Sequence, residues 1–144
     1  ELTAQVEKMQ QAGITINHAD SHHHIHTGVF IAPIAMKVLR EHGVTKVRLH
    51  RNLGANSLFK RIVKKRYNRW LTKQGFTTTA YFAYVMDIDG GTIPDNAEIM
   101  VHPDYSAEGV LVDRRGMENG FPVGNPLIDL RADDNVVLRG YNEL

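Results

Sequence analysis

Apolar side chains recur at helical spacing in the N-terminal part of the chain. In residues 1–12 they lie three or four positions apart, and Gly13 follows as a stop signal, which predicts an amphipathic helix. A second, shorter helix is predicted from about Pro33 to His42-Gly43, because proline suits an early helical position and glycine a C-terminal stop.

A longer helix is predicted from a cap at Asn56 or Ser57 to about Gln74, with Gly75 at its end. Its expected apolar contribution comes from Leu58, Ile62, Val63, Trp70 and Leu71. It also carries the basic side chains of Lys60, Arg61, Lys64, Lys65, Arg66, Arg69 and Lys73. We interpret them as a solvated outer face, with binding of a nucleic acid or anionic ligand as the alternative.

Segments rich in β-branched, aromatic or alternating apolar residues predict strands between these helices. They are His18–His26, Lys46–His50, Thr77–Met86 and Ala97–Val101. Strands that alternate with helices are typical of βα units with a parallel sheet, which predicts the α/β class with mainly parallel strands. Sites in such folds are assembled at the carboxyl ends of strands. Residues 104–125 have no strong periodicity and are expected to form a long loop.

Composition narrows the class of protein and its partners. The chain has 144 residues, 42% hydrophobic and 23% charged, which fits a single domain over residues 1–144. Its net charge of +1 gives no overall field for a polyanion, so no nucleic-acid partner is expected. No segment approaches the roughly 18 apolar residues of a membrane span, so no membrane partner is expected. The lack of cysteine fits a reducing compartment, and a cytoplasmic location is expected.

Five of the eight histidines lie between His18 and His26. On an extended backbone side chains alternate, so His23 would point away from a shared face. That face would consist of His18, Asp20, His22, His24 and His26. Imidazoles and a carboxylate suit a divalent metal ion, so the run predicts a metal site, with magnesium and zinc as candidates. A solvated or tag-like stretch is the alternative, although this run is internal and interrupted by Ile25.

Two further polar residues stand near the ends of predicted strands. His102 follows the strand at residues 97–101, and we expect it to share a pocket with the histidine run, as in a hydrolytic site. A structural histidine before Pro103 is the alternative. Arg48 could bind an anionic group or a sugar hydroxyl, and an ion pair within the fold is the equal alternative.

Four sequence elements resemble those of YdjC-like carbohydrate deacetylases, a family that includes chitooligosaccharide deacetylases. In chain order they are HADSHHHIH at His18–His26, VRLHRN at Val47–Asn52, GFTTTAYF at Gly75–Phe82 and EIMVHPDY at Glu98–Tyr105. The DSHHHIH and MVHP elements are fairly specific when they occur together. The resemblance spans most of the chain.

The resemblance implies a TIM-barrel-like (β/α) fold and a metal-dependent hydrolase that removes the N-acetyl group from an amino sugar or chitooligosaccharide. The metal would be held by one Asp and two His. By match to the motifs, His22 would be a metal ligand, and His102 a catalytic residue that protonates the departing amine. Asp20, the only acid in the cluster, is the second candidate catalytic residue, with orientation of a histidine as its expected role. The candidate substrate contacts are Arg48, His24 and His26.

The sequence departs from the family pattern in its first part. The Asn-Ala-Asp-Asp strand and the ligand histidine that precede DSHHHIH in the family are missing, and Ala80 stands where the family often has Asp. We therefore expect a partial barrel, the C-terminal portion of a larger deacetylase, completed by another chain segment or by homo-oligomerisation. Two alternatives stay open. One is an amidohydrolase-type metal hydrolase with an HxH pair at a strand end, and the other is a non-catalytic metal-binding or assembly module.

Overall fold

A computed structural model describes residues 1–54, 57–88, 93–120 and 136–144. The chain divides into two compact units. The first consists of Glu1–His50, Ser57–Thr79 and Tyr141–Leu144, and the second of Arg51–Asn56 and Ala80–Gly140. The expectation of a single domain over residues 1–144 stays a prediction.

Helices and short strands mix along the chain, which confirms the α/β class. The helices are α1 (Leu2–Gln11), α2 (Ile31–Glu41), α3 (Leu58–Lys73) and α4 (Arg114–Glu118), with 3₁₀ turns at His22–Thr27, Val85–Ile88 and Tyr141–Glu143. The strands are β1 (Tyr81–Tyr84), β2 (Ala97–Met100), β3 (Pro103–Tyr105) and β4 (Leu111–Asp113). Across the described ranges, the strands pair as two two-stranded sheets and do not close into a barrel.

The helix ends of the first unit follow the signals in the sequence. Gly13 and Gly43 follow α1 and α2 with φ values of 76° and 77°, in the left-handed region that glycine tolerates. The side chain of Ser57 caps α3 by accepting a hydrogen bond from the backbone N–H of Lys60. The alternative cap, Asn56, lies outside the described residues. All three predicted helices are therefore confirmed.

The core of the first unit includes one face of α2, which contacts α1 and the turn at His22–Thr27. Buried side chains of α2 recur three or four positions apart and belong to Ala32, Ala35, Met36 and Leu39. In the same unit, single parallel bridges join Ala19 to Val47 and Lys46 to Thr77, and Val47 is fully buried. The strand predicted at residues 46–50 is thus present as isolated bridges instead of a continuous ladder.

The apolar face predicted for α3 is largely wrong. Leu71 is 0% exposed, but Leu58 is 75% and Ile62 60% exposed. Helix geometry explains the difference: at about 100° per residue, Ile62 and Leu71 project from opposite sides of α3 and cannot both face one core. The basic side chains of α3 are exposed, apart from the half-buried Lys64, as expected of a solvated face. None of the helices in the described part of the chain has the length and apolar character of a membrane span.

The second unit contains a parallel pair and an antiparallel hairpin. β1 and β2 pair in parallel, from Tyr81 opposite Ala97 to Tyr84 opposite Met100. β3 and β4 are antiparallel, so the loop predicted for residues 104–125 is wrong in its described part, and residues 121–125 lie outside that part. Local hydrogen bonds stabilise the turn between β3 and β4. The periodicity of apolar residues does not reveal such bonds, so the hairpin was not predicted. These bonds run from the backbone N–H groups of Glu108 and Val110 to Ser106 Oγ.

Burial predicts unequal costs for two leucines of the same helix. Leu71→Ala should lower the free energy of unfolding by about 2–5 kcal/mol, because it opens a cavity in the core. Leu58→Ala, the matched control, should change it by no more than about 0.5 kcal/mol, since the side chain is exposed. Urea unfolding followed by circular dichroism measures both. Equal losses for the two variants would contradict the packing described for α3.

Candidate functional site

The predicted extended backbone is present only at the start of the histidine run, where Ala19 bridges Val47 and Ser21 is extended, and the prediction is wrong from His22 onward. Residues His22–Thr27 form a 3₁₀ turn, within which His23 and His24 have φ values of 53° and 56°. A positive φ costs a non-glycine residue about 1–3 kcal/mol, so surrounding contacts must stabilise the turn. The alternating face predicted for the run does not form, and the run does not present an HxH pair at a strand end.

His26 is the buried centre of this turn, at 6% exposure. Its Nε2 lies 3.1 Å from the backbone oxygen of Arg48, an acceptor, so Nε2 carries the ring proton. Its Nδ1 lies 2.6 Å from Ser21 Oγ and accepts the hydroxyl proton. Ser21 Oγ in turn accepts the backbone N–H of His26 at 2.9 Å. This arrangement holds a neutral imidazole, and burial lowers the pKa of His26.

Asp20 lies between an arginine and two imidazoles. Its carboxylate forms an ion pair with the Arg48 guanidinium, which confirms the ion-pair alternative given for Arg48. The other oxygen, Oδ1, lies 3.7 Å from His24 Nδ1 and 3.8 Å from His26 Nδ1. Asp20 is therefore placed to orient these histidines. Substrate contact through Arg48, His24 or His26 stays a prediction.

His50 and Tyr67 extend the cluster and were missed from the sequence. The Tyr67 hydroxyl donates to the backbone oxygen of His26 at 3.1 Å, and its ring meets the His50 ring edge-on at 4.8 Å between centroids. Burial, reinforced by the Lys64 charge, lowers the pKa of His50 to about 4. Burial also raises the pKa of Tyr67 to about 12. The one feature of the sequence that could have pointed to His50 is its position in the VRLHRN element.

The imidazole of His22 can coordinate a metal ion through one ring nitrogen. Its side chain is exposed, and its ring lies 4.2 Å from that of His23. No three His, Asp or Glu side chains come together as a metal-binding group within residues 1–54, 57–88, 93–120 and 136–144. Asp20 is committed to Arg48. A metal ion bound at His22 would therefore need its further ligands from elsewhere.

His102 belongs to the second unit and lies just after β2. Its backbone N–H donates to Asp113 Oδ2 at 2.6 Å, and its backbone oxygen accepts the N–H of Arg114 at 2.8 Å. The imidazole Nδ1 lies 3.8 Å from the same Asp113 oxygen. Asp113 is buried and also accepts the backbone N–H of Gly116, which caps α4. The sequence did not point to Asp113. The expected convergence of His102 with His22, which belongs to the first unit, stays a prediction.

The ring of Tyr84, in β1, lies between the imidazole of His102 and two arginine side chains of the same unit. Its ring centroid lies 6.3 Å from that of His102, and the guanidinium carbons of Arg51 and Arg115 lie 4.7 and 5.6 Å from the Tyr84 ring. Arg51 forms an ion pair with Asp87 through two nitrogens. A Cβ at Gly54 would collide with the Asp87 carboxylate, so this pair requires glycine there.

Comparison with known proteins places these residues in a family. A family model described as YdjC-like protein matches residues 1–126. A carbohydrate deacetylase of Brevibacillus brevis is 32% identical over 117 residues, which cover 77% of this chain and 44% of that protein. Carbohydrate deacetylase 1 of Listeria innocua is 33% identical over 115 residues, covering 75% and 41%. One from Vibrio parahaemolyticus is 27% identical over 135 residues, covering 88% and 46%.

The chain spans less than half the length of each of these relatives. No solved structure matches it. The family model covers both the histidine run and the His102 element, which confirms the resemblance drawn from their motifs. The chain therefore belongs to the family of YdjC-like proteins.

Proposed function

We propose that this chain is part of a metal-dependent carbohydrate deacetylase that removes the N-acetyl group from an amino sugar or chitooligosaccharide. The observation that carries the proposal is a family match that includes both histidine elements, together with relatives named carbohydrate deacetylase. The complete enzyme would have a TIM-barrel-like fold to which this chain contributes parallel-paired strands and their helices. Another chain segment, or a second copy of this chain, would complete the site.

His22 is the proposed metal ligand of this chain. Its imidazole is exposed, while the neighbouring His26 is buried and has both ring nitrogens occupied. Of the two, His22 is therefore the one open to coordination. A bound divalent ion would polarise the carbonyl oxygen of the acetamide as a Lewis acid.

His102 is the proposed general acid. Breaking the C–N bond of an amide expels a strongly basic nitrogen, so the departing amine must receive a proton. The His102 side chain is 32% exposed, which leaves it accessible to a substrate, and hydrogen bonds fix its backbone on both sides. These two properties support its assignment as proton donor.

Asp20 is proposed to position the turn that carries His22, instead of reacting itself. Its ion pair with Arg48 and its closeness to His24 and His26 tie the turn to the segment around residue 48. Arg48 and His24 would contact the sugar from the rim of this cluster. His26 would support them from inside.

The metal proposal predicts that His22→Ala, in the intact protein that the gene encodes, loses bound metal and lowers kcat/KM by roughly 100-fold or more. Even residues that only orient metal ligands affect affinity or activity by 10–100-fold, so a ligand should reach at least that. Acetate release from N-acetylglucosamine oligomers and elemental analysis of the purified protein are the two measurements.

His23→Ala is the matched control, since His23 is the adjacent exposed histidine and shares the turn. It should keep metal and activity within a few fold. Full activity in His22→Ala, or equal losses in both variants, would remove His22 from the proposed site.

The buried ring of His26 and the half-buried ring of His50 predict that the supporting cluster weakens in mild acid. The folded-state pKa of His50, about 4, lies below the ordinary histidine pKa of 6.5, so the folded protein favours the neutral ring. Its contribution to stability is full above pH 6.5 and is lost as the pH falls from 6.5 towards 4. His26, whose pKa is also lowered, acts in the same direction.

We therefore expect the urea midpoint to fall between pH 6.5 and pH 4, and to fall less in His50→Gln, because glutamine stays neutral throughout. Parallel pH profiles for the two proteins would show that the His50 ring titrates normally when folded. NMR titration of the His50 ring protons, with an expected midpoint near pH 4, checks the same point directly.

A further inference from the structure

We propose that Asp113 positions His102 for proton transfer by fixing both its backbone and the proton-bearing nitrogen of its imidazole. The inference rests on the proposed role of His102 as general acid. Asp113 lies eleven positions away in sequence and is brought to His102 by the β3–β4 hairpin, in which Asp113 pairs with Pro103.

The first part of the argument is the backbone. The carboxylate of Asp113 accepts the His102 N–H at 2.6 Å, and the next residue, Arg114, donates its N–H to the His102 oxygen at 2.8 Å. Both backbone polar groups of His102, the N–H and the carbonyl oxygen, are thus hydrogen-bonded to the Asp113-Arg114 dipeptide. Hydrogen bonds to a carboxylate are about twice as strong as neutral ones. The Cα of His102 is therefore set by the end of β4.

The second part is the burial of Asp113. It is 5% exposed, and its other oxygen accepts the Gly116 N–H at 2.8 Å, so both carboxylate oxygens have backbone donors. The His102 side chain, by contrast, is 32% exposed. Asp113 is too enclosed to meet a sugar and can act on the reaction only through His102.

The third part is the imidazole itself. His102 Nδ1 lies 3.8 Å from Asp113 Oδ2, too long for a hydrogen bond but close enough for a charge to act. In the imidazolium that acts as the acid, a negative charge on this side favours retention of the Nδ1 proton. Nε2 therefore gives its proton to the amine, and the ring is left neutral with its proton on Nδ1. The Tyr84 ring also lies next to the imidazole of His102, with 6.3 Å between the ring centroids and an angle of 63° between the ring planes. The guanidinium groups of Arg51 and Arg115 lie near the Tyr84 ring, and the Asp87 carboxylate accepts the Tyr84 backbone N–H at 2.8 Å.

Kinetics of the intact protein provide the first test. Asp113→Asn removes the charge and should lower kcat by 10–100-fold with KM changed less than threefold. The double variant with His102→Ala should be no slower than His102→Ala alone, since both act on one proton transfer. Asp104→Asn is the matched control, because Asp104 is an exposed acid on the same hairpin, and it should retain kcat.

The outcomes separate the two proposals. If His102→Ala keeps full activity, the proposed role of His102 fails. If His102→Ala is slow but Asp113→Asn is not, the positioning role fails and the proposed function stands. If Asp113→Asn does not fold, Asp113→Ser replaces it, since a serine hydroxyl still caps α4 without a charge, and it should show the same loss of kcat.

A spectroscopic test needs no catalysis. In the folded wild-type protein at a pH where His102 is neutral, the imidazole ¹⁵N shifts should report a proton on Nδ1. In Asp113→Asn the population should move towards a proton on Nε2. A wild-type ring protonated on Nε2, or an unchanged tautomer in Asp113→Asn, would overturn the inference.

Discussion

The buried imidazole of His26 is the constraint on which the histidine turn depends. A ring removed from water must have partners for both nitrogens, and Ser21 and the Arg48 oxygen supply them. These bonds join the turn to the neighbouring extended segment, where the bridge between Ala19 and Val47 alone would be a weak connection. Once that anchor is in place, Asp20 and Arg48 meet, and Tyr67 closes the cluster through the His26 oxygen.

In the second unit, a buried carboxylate fixes the backbone around the histidine. Asp113 bonds two backbone N–H groups from different segments and so fixes the exit from β2, the hairpin and the start of α4. In both units the chemistry-bearing histidine follows a very short extended segment. Side chain to backbone hydrogen bonds therefore supply the rigidity that a longer ladder would otherwise give.

The sequence predicted those features that depend on neighbours along the chain. Helix ends at Gly13 and Gly43 and the Ser57 cap are local signals, and the structure confirms them. The histidine run was misassigned from His22 onward, because alternation assumes that the backbone stays extended. The turn it adopts is fixed by a bond from His26 to a residue 22 positions away. Asp113 escaped notice for the same reason, since only the hairpin register brings it to His102.

The left-handed backbone at His23 and His24 has a consequence for how this turn can vary. Glycine would adopt those dihedral angles without strain, so the backbone alone would favour it over histidine there. The chain instead bears imidazoles at two adjacent positions where they are conformationally disfavoured. Replacement of His23 and His24 by glycine would therefore preserve the backbone conformation of the turn but remove both imidazoles.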